Sequence, residues 1–327
     1  MTSGPPGPVR AVNARLAVSD LSVRFRLPDA TVHAVTDASF EVGSGQCVAL
    51  VGESGCGKSV MAGALLGLLP GNAEVTGTAV LADPAGDTDL LAASETVLAR
   101  QIRGRRVGLV PQSPAAHLTP VHTVRRHLVD VLGAVGPERA GRAARHAEAE
   151  RVAAAVGLPV TALDHYPHEL SGGMAQRTVT ALALAGRPWL ILADEPTTGL
   201  DAPLVRRTLD ELRRLTDAGH AVLLVTHDLD AAARIADTVL VMYAGRIVET
   251  GAVDRVLHEP RHPYTRGLLA ALPRNGFHPL PGLPPQLSAL PPGCAFAARC
   301  PQVGDDCVRR PDLWPRDGHP VACHRPC

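Results

Sequence analysis

Residues 52–59 read Gly-Glu-Ser-Gly-Cys-Gly-Lys-Ser, a spacing suited to gripping a polyphosphate. The glycines let the backbone curl so that its N–H groups turn inward onto phosphate oxygens. A helix starting near Lys58 adds its positive end. The Lys58 ammonium is expected on the β and γ phosphates and the Ser59 hydroxyl on Mg²⁺. A chance Gly-rich turn is the bland alternative, and the strand before and helix after argue against it. A second place for chemistry is Leu-Ile-Leu-Ala-Asp-Glu at 190–195. Its apolar run implies a buried strand, so Asp194 emerges at the strand's end, where a carboxylate can hold Mg²⁺ through water. Glu195, one step on, is placed to polarise an attacking water. The same two acids could instead complement the first turn of a helix, but the phosphate loop upstream favours the hydrolytic reading.

A third candidate is the set Cys294, Cys300, Cys307 and Cys323, separated by five, six and fifteen residues. Four thiolates could hold a [4Fe–4S] cluster or Zn²⁺. Zinc sites more often use closely spaced cysteine pairs, absent among these four, whereas wide spacings suit a loop wrapped around a cubane. Reduced, partly buried thiols remain the third option. Cys327 reads as a bystander, and Cys47 and Cys56 as small space-fillers.

The elements that must position these groups follow from apolar patterning. Leu16 to Phe25 and Val32 to Val42 read as strands, with a turn at Gly43 to Gly45. Cys47 to Val51 is a short, wholly apolar run, as in a buried central strand; the Gly loop interrupts it and Lys58 to Leu69 is helical. From about Asp83 to Glu169 the pattern becomes helical and rich in Arg, Ala and His. Leu190 to Ala193 and Ala221 to Thr226 are further buried strands, with an amphipathic helix, Leu204 to Thr216, between them. Thr238 to Met242 and Arg246 to Thr250 form a hairpin around Ala244-Gly245. Strands alternating with helices predict a parallel α/β core. Prolines at 281, 284, 285, 291 and 292 make 278–293 an extended linker rather than a core element.

The 327 residues are 46% hydrophobic but only 3% aromatic, so the core must be mostly Ala, Val and Leu. Lys plus Arg equals Asp plus Glu at 32 each, which gives no electrostatic footing for a nucleic-acid partner. No apolar run reaches the ~18 residues of a membrane span. The Gly- and Pro-rich stretch 1–15 lacks the apolar core of a signal peptide and is expected to be a disordered leader.

Leu170-Ser171-Gly172-Gly173-Met174-Ala175-Gln176-Arg177, just ahead of the Asp194-Glu195 strand, resembles the signature sequence of ABC proteins, with Met174 where the family usually has Gln. A Ser-Gly-Gly loop opening a helix offers N–H and hydroxyl donors to an anion. The resemblance then carries further residues in order. Gln112 matches the Q-loop glutamine that senses Mg²⁺ and γ-phosphate, Asp201 in Thr198-Gly199-Leu200-Asp201 the D-loop, and His227 the switch histidine. Phe25 takes the place of the aromatic that stacks on adenine. The implied fold is an α/β P-loop NTPase of the ABC nucleotide-binding type over 16–257, with an inserted helical subdomain at about 83–175. ATP would be held by Gly52, Glu53, Ser54, Gly55, Cys56, Gly57, Lys58, Ser59 and Val60. Phe25, Gln112, Ser171, Gly172, Gly173, Asp194, Asp201 and His227 would add to that grip. Mg²⁺ falls to Ser59, Gln112 and Asp194, and catalysis to Glu195, His227 and Gln112.

His262-Pro263-Tyr264-Thr265-Arg266-Gly267-Leu268-Leu269, Leu283 to Leu287, Pro292 to Phe296 and Arg299-Cys300-Pro301 look like the Pro- and Cys-rich C-terminal extension of oligopeptide/dipeptide importer ATPases, here 258–327. Some of those relatives carry a [4Fe–4S] cluster in this tail. Nickel and metal-chelate importers share it, so they are the rival within the family; a soluble non-transport ABC ATPase is the rival outside it. Ser113 to Pro120 departs from the family pattern in a region that normally faces the permease. The resemblance implies a subunit that hydrolyses ATP to power peptide uptake, peripheral on the cytoplasmic face of the cell membrane. Its implied partners are a second, distinct ABC ATPase in a head-to-tail heterodimer, two transmembrane permeases and an extracytoplasmic substrate-binding protein.

Overall fold

The computed structural model describes residues 14–83, 86–136, 141–314 and 318–327. Most of the expected leader, 1–13, lies outside the described residues. The chain divides into two compact units. The first comprises Met1–Ser44, Val48–Ala93 and His227–Cys327, and the second Gly45–Cys47 and Ser94–Thr226.

In the first unit, Ala14–Arg26 pairs antiparallel with Thr31–Gly43 on one side and Ala73–Leu81 on the other, with the short Thr88–Asp89 at the edge. Leu16 and Val18 point inward two apart, as a strand's period of two requires. The register then slips between Val18 and Leu21, where Asp20 takes φ 52° and its N–H is received by the Ser39 hydroxyl. That irregularity lets Leu21 and Val23 stay buried although they have changed parity.

Cys47–Val51 is wholly buried and runs parallel to Thr238–Tyr243, in register from Val48↔Thr238 to Val51↔Val241. Thr238–Tyr243 turns back into Arg246–Ala252 through Ala244 and Gly245, at φ 47° and 82°. Two consecutive left-handed residues make the turn that matches strand twist, so the expected hairpin is present.

The C-terminal segment is built into this unit. The Ala322 N–H donates to the Val248 carbonyl and the Thr250 N–H to Pro320, so the tail lies along the hairpin's outer strand. Glu249, fully buried, accepts from the N–H groups of Arg261 and His262 at 2.6 and 3.0 Å and sits 2.7 Å from His319 Nε2. Tyr243, Tyr264 and Phe296 pack together with ring centroids 4.5–5.5 Å apart. An Ala/Val/Leu core was expected, and here three of the chain's few aromatics are gathered at one place. Residues 278–293 form neither helix nor strand, as their prolines dictate, yet the Leu287 carbonyl accepts from the His33 N–H.

The second unit has three parallel strands, Val107–Val110, Leu190–Asp194 and Ala221–Thr226, paired in that order. Helices Val124–Val135, Arg142–Ala155 and Gly172–Leu184 share an apolar cluster that includes Val124, Leu128, Leu132, Val152 and Ala181. The stretch 83–169 is therefore not helical throughout: it contains Thr88–Asp89 and Val107–Val110 as strands. Helix Lys58–Leu65 also stops short of the expected Leu69, because Gly67 turns left-handed at φ 61°.

Candidate nucleotide site

The phosphate loop leaves the buried strand Cys47–Val51 and reverses through three left-handed glycines, Gly52, Gly55 and Gly57, at φ 155°, 79° and 109°. Two of them are also required by space. A Cβ on Gly52 would strike the Met242 carbonyl, and one on Gly57 the Ala34 carbonyl. Gly57 caps the helix Lys58–Leu65 without any side-chain hydrogen bond and without an acid in its first turn. That helix end is left positive, as an incoming anion needs.

Lys58 is 6% exposed and folds back across the loop. Its Nζ donates to the carbonyls of Gly52 and Glu53 at 2.8 and 3.0 Å. Cys56 Sγ lies 3.9 Å away, its thiol pushed up by burial and pulled back by the Lys58 charge. The Cys56 carbonyl accepts from the Gly245 N–H. Ser54, Gly55 and Ser59 are exposed along the rim and Val60 is half-buried. A glycine cradle, an ammonium and an uncapped helix N-terminus fit a polyphosphate.

Also in the first unit, His227 is exposed directly after Ala221–Thr226. Asp228 beside it caps helix Leu229–Ile235, accepting from Asp230 and Ala231. Phe25 is half-buried on the antiparallel sheet, opposite Val32 and Ala73.

The second unit holds the remaining expected residues. Asp194 ends its strand half-buried. Glu195 follows at φ 48°, an unusual conformation for a residue with a side chain. Its N–H donates to the Val225 carbonyl at 2.8 Å, and the Thr198 hydroxyl donates to its Oε2 at 3.4 Å. The backbone is thus fixed from the neighbouring strand while the 8%-exposed carboxylate is turned off the strand direction. Gln112 is exposed two residues beyond Val107–Val110. Ser171 caps helix Gly172–Leu184, its Oγ accepting from the Met174 N–H at 3.3 Å. A Cβ on Gly173 would meet the end of the Leu204 side chain, which would have to turn aside to admit it. Asp201 caps helix Ala202–Asp217 through the Leu204 N–H at 2.9 Å.

Two residues outside the expected set touch the loop, and a third stands behind them. Arg299 forks onto Glu53, Tyr264 receives the Glu53 N–H, and Tyr243 lies beside Arg299. The sequence signal for Tyr264 and Arg299 was membership of the family-like runs at 262–269 and 299–301; Tyr243 lies outside both.

The four tail cysteines are half-buried and Cys327 is exposed. The Cys294 N–H donates to the Cys307 carbonyl at 2.9 Å. Burial raises the thiols of Cys294 and Cys300 and pushes Cys323 up to about 11, and the neighbouring cysteines add to each shift. Among the described residues no three His, Cys, Asp or Glu side chains are grouped to hold a metal ion.

Residues 35–198 match the family described as ABC transporter, and 248–307 match the oligopeptide/dipeptide transporter C-terminal region. The oligopeptide transport ATP-binding protein OppD of Mycobacterium tuberculosis is 42% identical over 95% of this chain, which spans only 52% of that relative's length. The dipeptide transport ATP-binding protein DppD of Bacillus subtilis is 40% identical, covering 94% of this chain and 93% of its own. The ATP-binding cassette MJ0796, solved as a dimer bound to ADP and Pi, superposes with a TM-score of 0.63 over 73% of this chain and 98% of its own. At 24% identity that likeness shows the fold.

Proposed function

This chain belongs to the ABC transporter family, and from that premise we propose that it binds and hydrolyses ATP to drive uptake of oligopeptides or dipeptides through a membrane transporter. The observation that carries the reading is the phosphate loop, whose three left-handed glycines and buried Lys58 make a cradle for a triphosphate. The match of 248–307 to the peptide-transporter C-terminal region supports the cargo class. Among the described residues no helix is long and apolar enough to cross a membrane, so the pore is assigned to separate permeases. The chain then works as a peripheral subunit on the cytoplasmic face.

In this reading Lys58 leaves the carbonyls of Gly52 and Glu53 for the β and γ phosphates, and loop N–H groups and the helix end take the phosphate charge. Mg²⁺ would fall to Ser59, Gln112 and Asp194, and it would supply charge neutralisation at the γ-phosphoryl group. Glu195 orients the attacking water and His227 contacts the γ-phosphate, while Phe25 stacks on the base. Ser171, Gly172 and Gly173 offer their donors to the nucleotide of a second, related ATPase, Asp201 crosses between the two, and the pair works head to tail. The permeases and an extracytoplasmic binding protein select the peptide.

Cys294, Cys300, Cys307 and Cys323 are proposed as ligands of a [4Fe–4S] cluster, with the Cys294 N–H tied to the Cys307 carbonyl at 2.9 Å; iron and acid-labile sulfide in protein purified without oxygen are the measurement. The hydrolytic assignment is tested by E195Q in the assembled transporter, with the partner ATPase's own site disabled. MgATP affinity should stay within about threefold and phosphate release should fall at least ~100-fold. Unchanged turnover would remove Glu195 from the reaction.

A further inference from the structure

Every polar group of Glu53 is engaged, and its N–H and carboxylate are engaged from far along the chain. Its carbonyl accepts from Lys58 and its N–H donates to Tyr264 Oη at 2.9 Å. Its carboxylate takes a two-pronged pair from Arg299, Nη1 to Oε2 at 2.8 Å and Nη2 to Oε1 at 2.9 Å. The Arg299 side chain is 4% exposed, against 27% for Glu53. Arg299 is itself fixed: Nε donates to the Pro281 carbonyl at 2.8 Å, and the guanidinium lies 5.8 and 5.9 Å from the ring centres of Tyr243 and Phe296.

We propose that Arg299 is a positioning residue for the phosphate loop, acting through Glu53 by cancelling its charge and fixing the loop's first bend. The proposal rests on the ATP-binding reading above. A carboxylate directly after Gly52 lies on the very loop that must receive a triphosphate, and unpaired it would repel the ligand. The planar fork both neutralises that carboxylate and sets its direction, which an ammonium on a flexible stem does not do. A pair serving stability alone could be replaced by apolar side chains at little cost. Here one partner is the second residue of the phosphate loop, where charge has a ligand to act on.

The test is the MgATP dissociation constant of the full chain, measured by titration calorimetry for the natural protein, K58A, R299M, E53Q and the double variant E53Q/R299M. Methionine keeps the apolar stem against Tyr243 and Phe296 and removes the charge. R299M should bind about tenfold more weakly, the effect of one uncompensated charge close to a polyanion at intermediate dielectric. Added salt should shrink the defect. E53Q/R299M should recover to within about threefold of the natural protein, because the repelling charge has gone too. R299M binding as tightly as the natural protein would overturn the proposal, and so would a double variant as weak as R299M, since Arg299 would then serve only the fold. If R299M folds poorly, R299K carries the test; it should bind about threefold more weakly for want of the fork, and unaltered binding there would also overturn the proposal. Failure of the natural protein to bind, or K58A binding normally, strikes the ATP reading itself.

Discussion

Acid should loosen the C-terminal segment through a single imidazole. His262 is 2% exposed and caps helix Pro263–Ala270, its Nδ1 accepting the Tyr264 N–H at 3.0 Å. Its ring lies 5.8 Å from that of Phe296. Burial holds it neutral, lowering its pKa from 6.5 to about 4 despite a bond to the Ala322 backbone that opposes the shift. Between those limits the unfolded chain binds a proton that the folded chain refuses, so stability must fall as pH falls. The contribution is complete above the unfolded value near 6.5 and is lost as pH drops through about 4. Each tenfold rise in proton concentration within that window costs about 1.4 kcal/mol, and the full descent about 3 kcal/mol. Urea unfolding of the natural protein and of H262N, between pH 7.5 and 5, isolates the effect. Asparagine keeps a cap acceptor for the Tyr264 N–H but does not titrate. H262N should be weaker by about 1–2 kcal/mol at pH 7.5 through lost packing. By pH 5 that gap should narrow by about 2 kcal/mol. A gap that stays constant with pH would refute the assignment of acid sensitivity to this ring.

Two further outcomes can be checked. G57A should destabilise by roughly 3 kcal/mol or more, since a Cβ there meets the Ala34 carbonyl in a left-handed conformation, whereas G55A, left-handed but with open space around it, should cost only about 1–2 kcal/mol; equal costs in urea denaturation would defeat the close-packing argument. If the tail carries a cluster, C307S should lower bound iron and sulfide together and C327S should leave both unchanged; natural protein prepared without oxygen yet containing no iron would dismiss the cluster.

What could be read from the sequence was what is local. Cys47–Val51 and Ala221–Thr226 are continuous apolar runs bounded by polar residues, and both strands have the expected ends. The phosphate loop was legible because glycine spacing dictates backbone shape at once. Ala73–Leu81 was missed because its first six residues are largely exposed and Gly77 breaks the alternation. Val107–Val110 was hidden by its brevity and by Gly108, which is there because the strand presses against the Ala183 carbonyl. Glu53 was expected as a nucleotide contact, but the origin of its partners could not be foreseen. Tyr264 and Arg299 stand 211 and 246 residues away, and no spacing rule reaches so far.

That distance has a consequence in time. A ribosome adding about 5–20 residues per second needs roughly 10–50 s to travel from Glu53 to Arg299. During that interval the nascent loop has its glycines and Lys58 but neither the guanidinium nor the tyrosine that holds its first bend. The loop reaches its final shape only when the last part of the chain emerges, so a truncated product carries the nucleotide motif without the tuned site. If Arg299 tunes the loop as proposed, full nucleotide affinity should arrive only once Arg299 has been made.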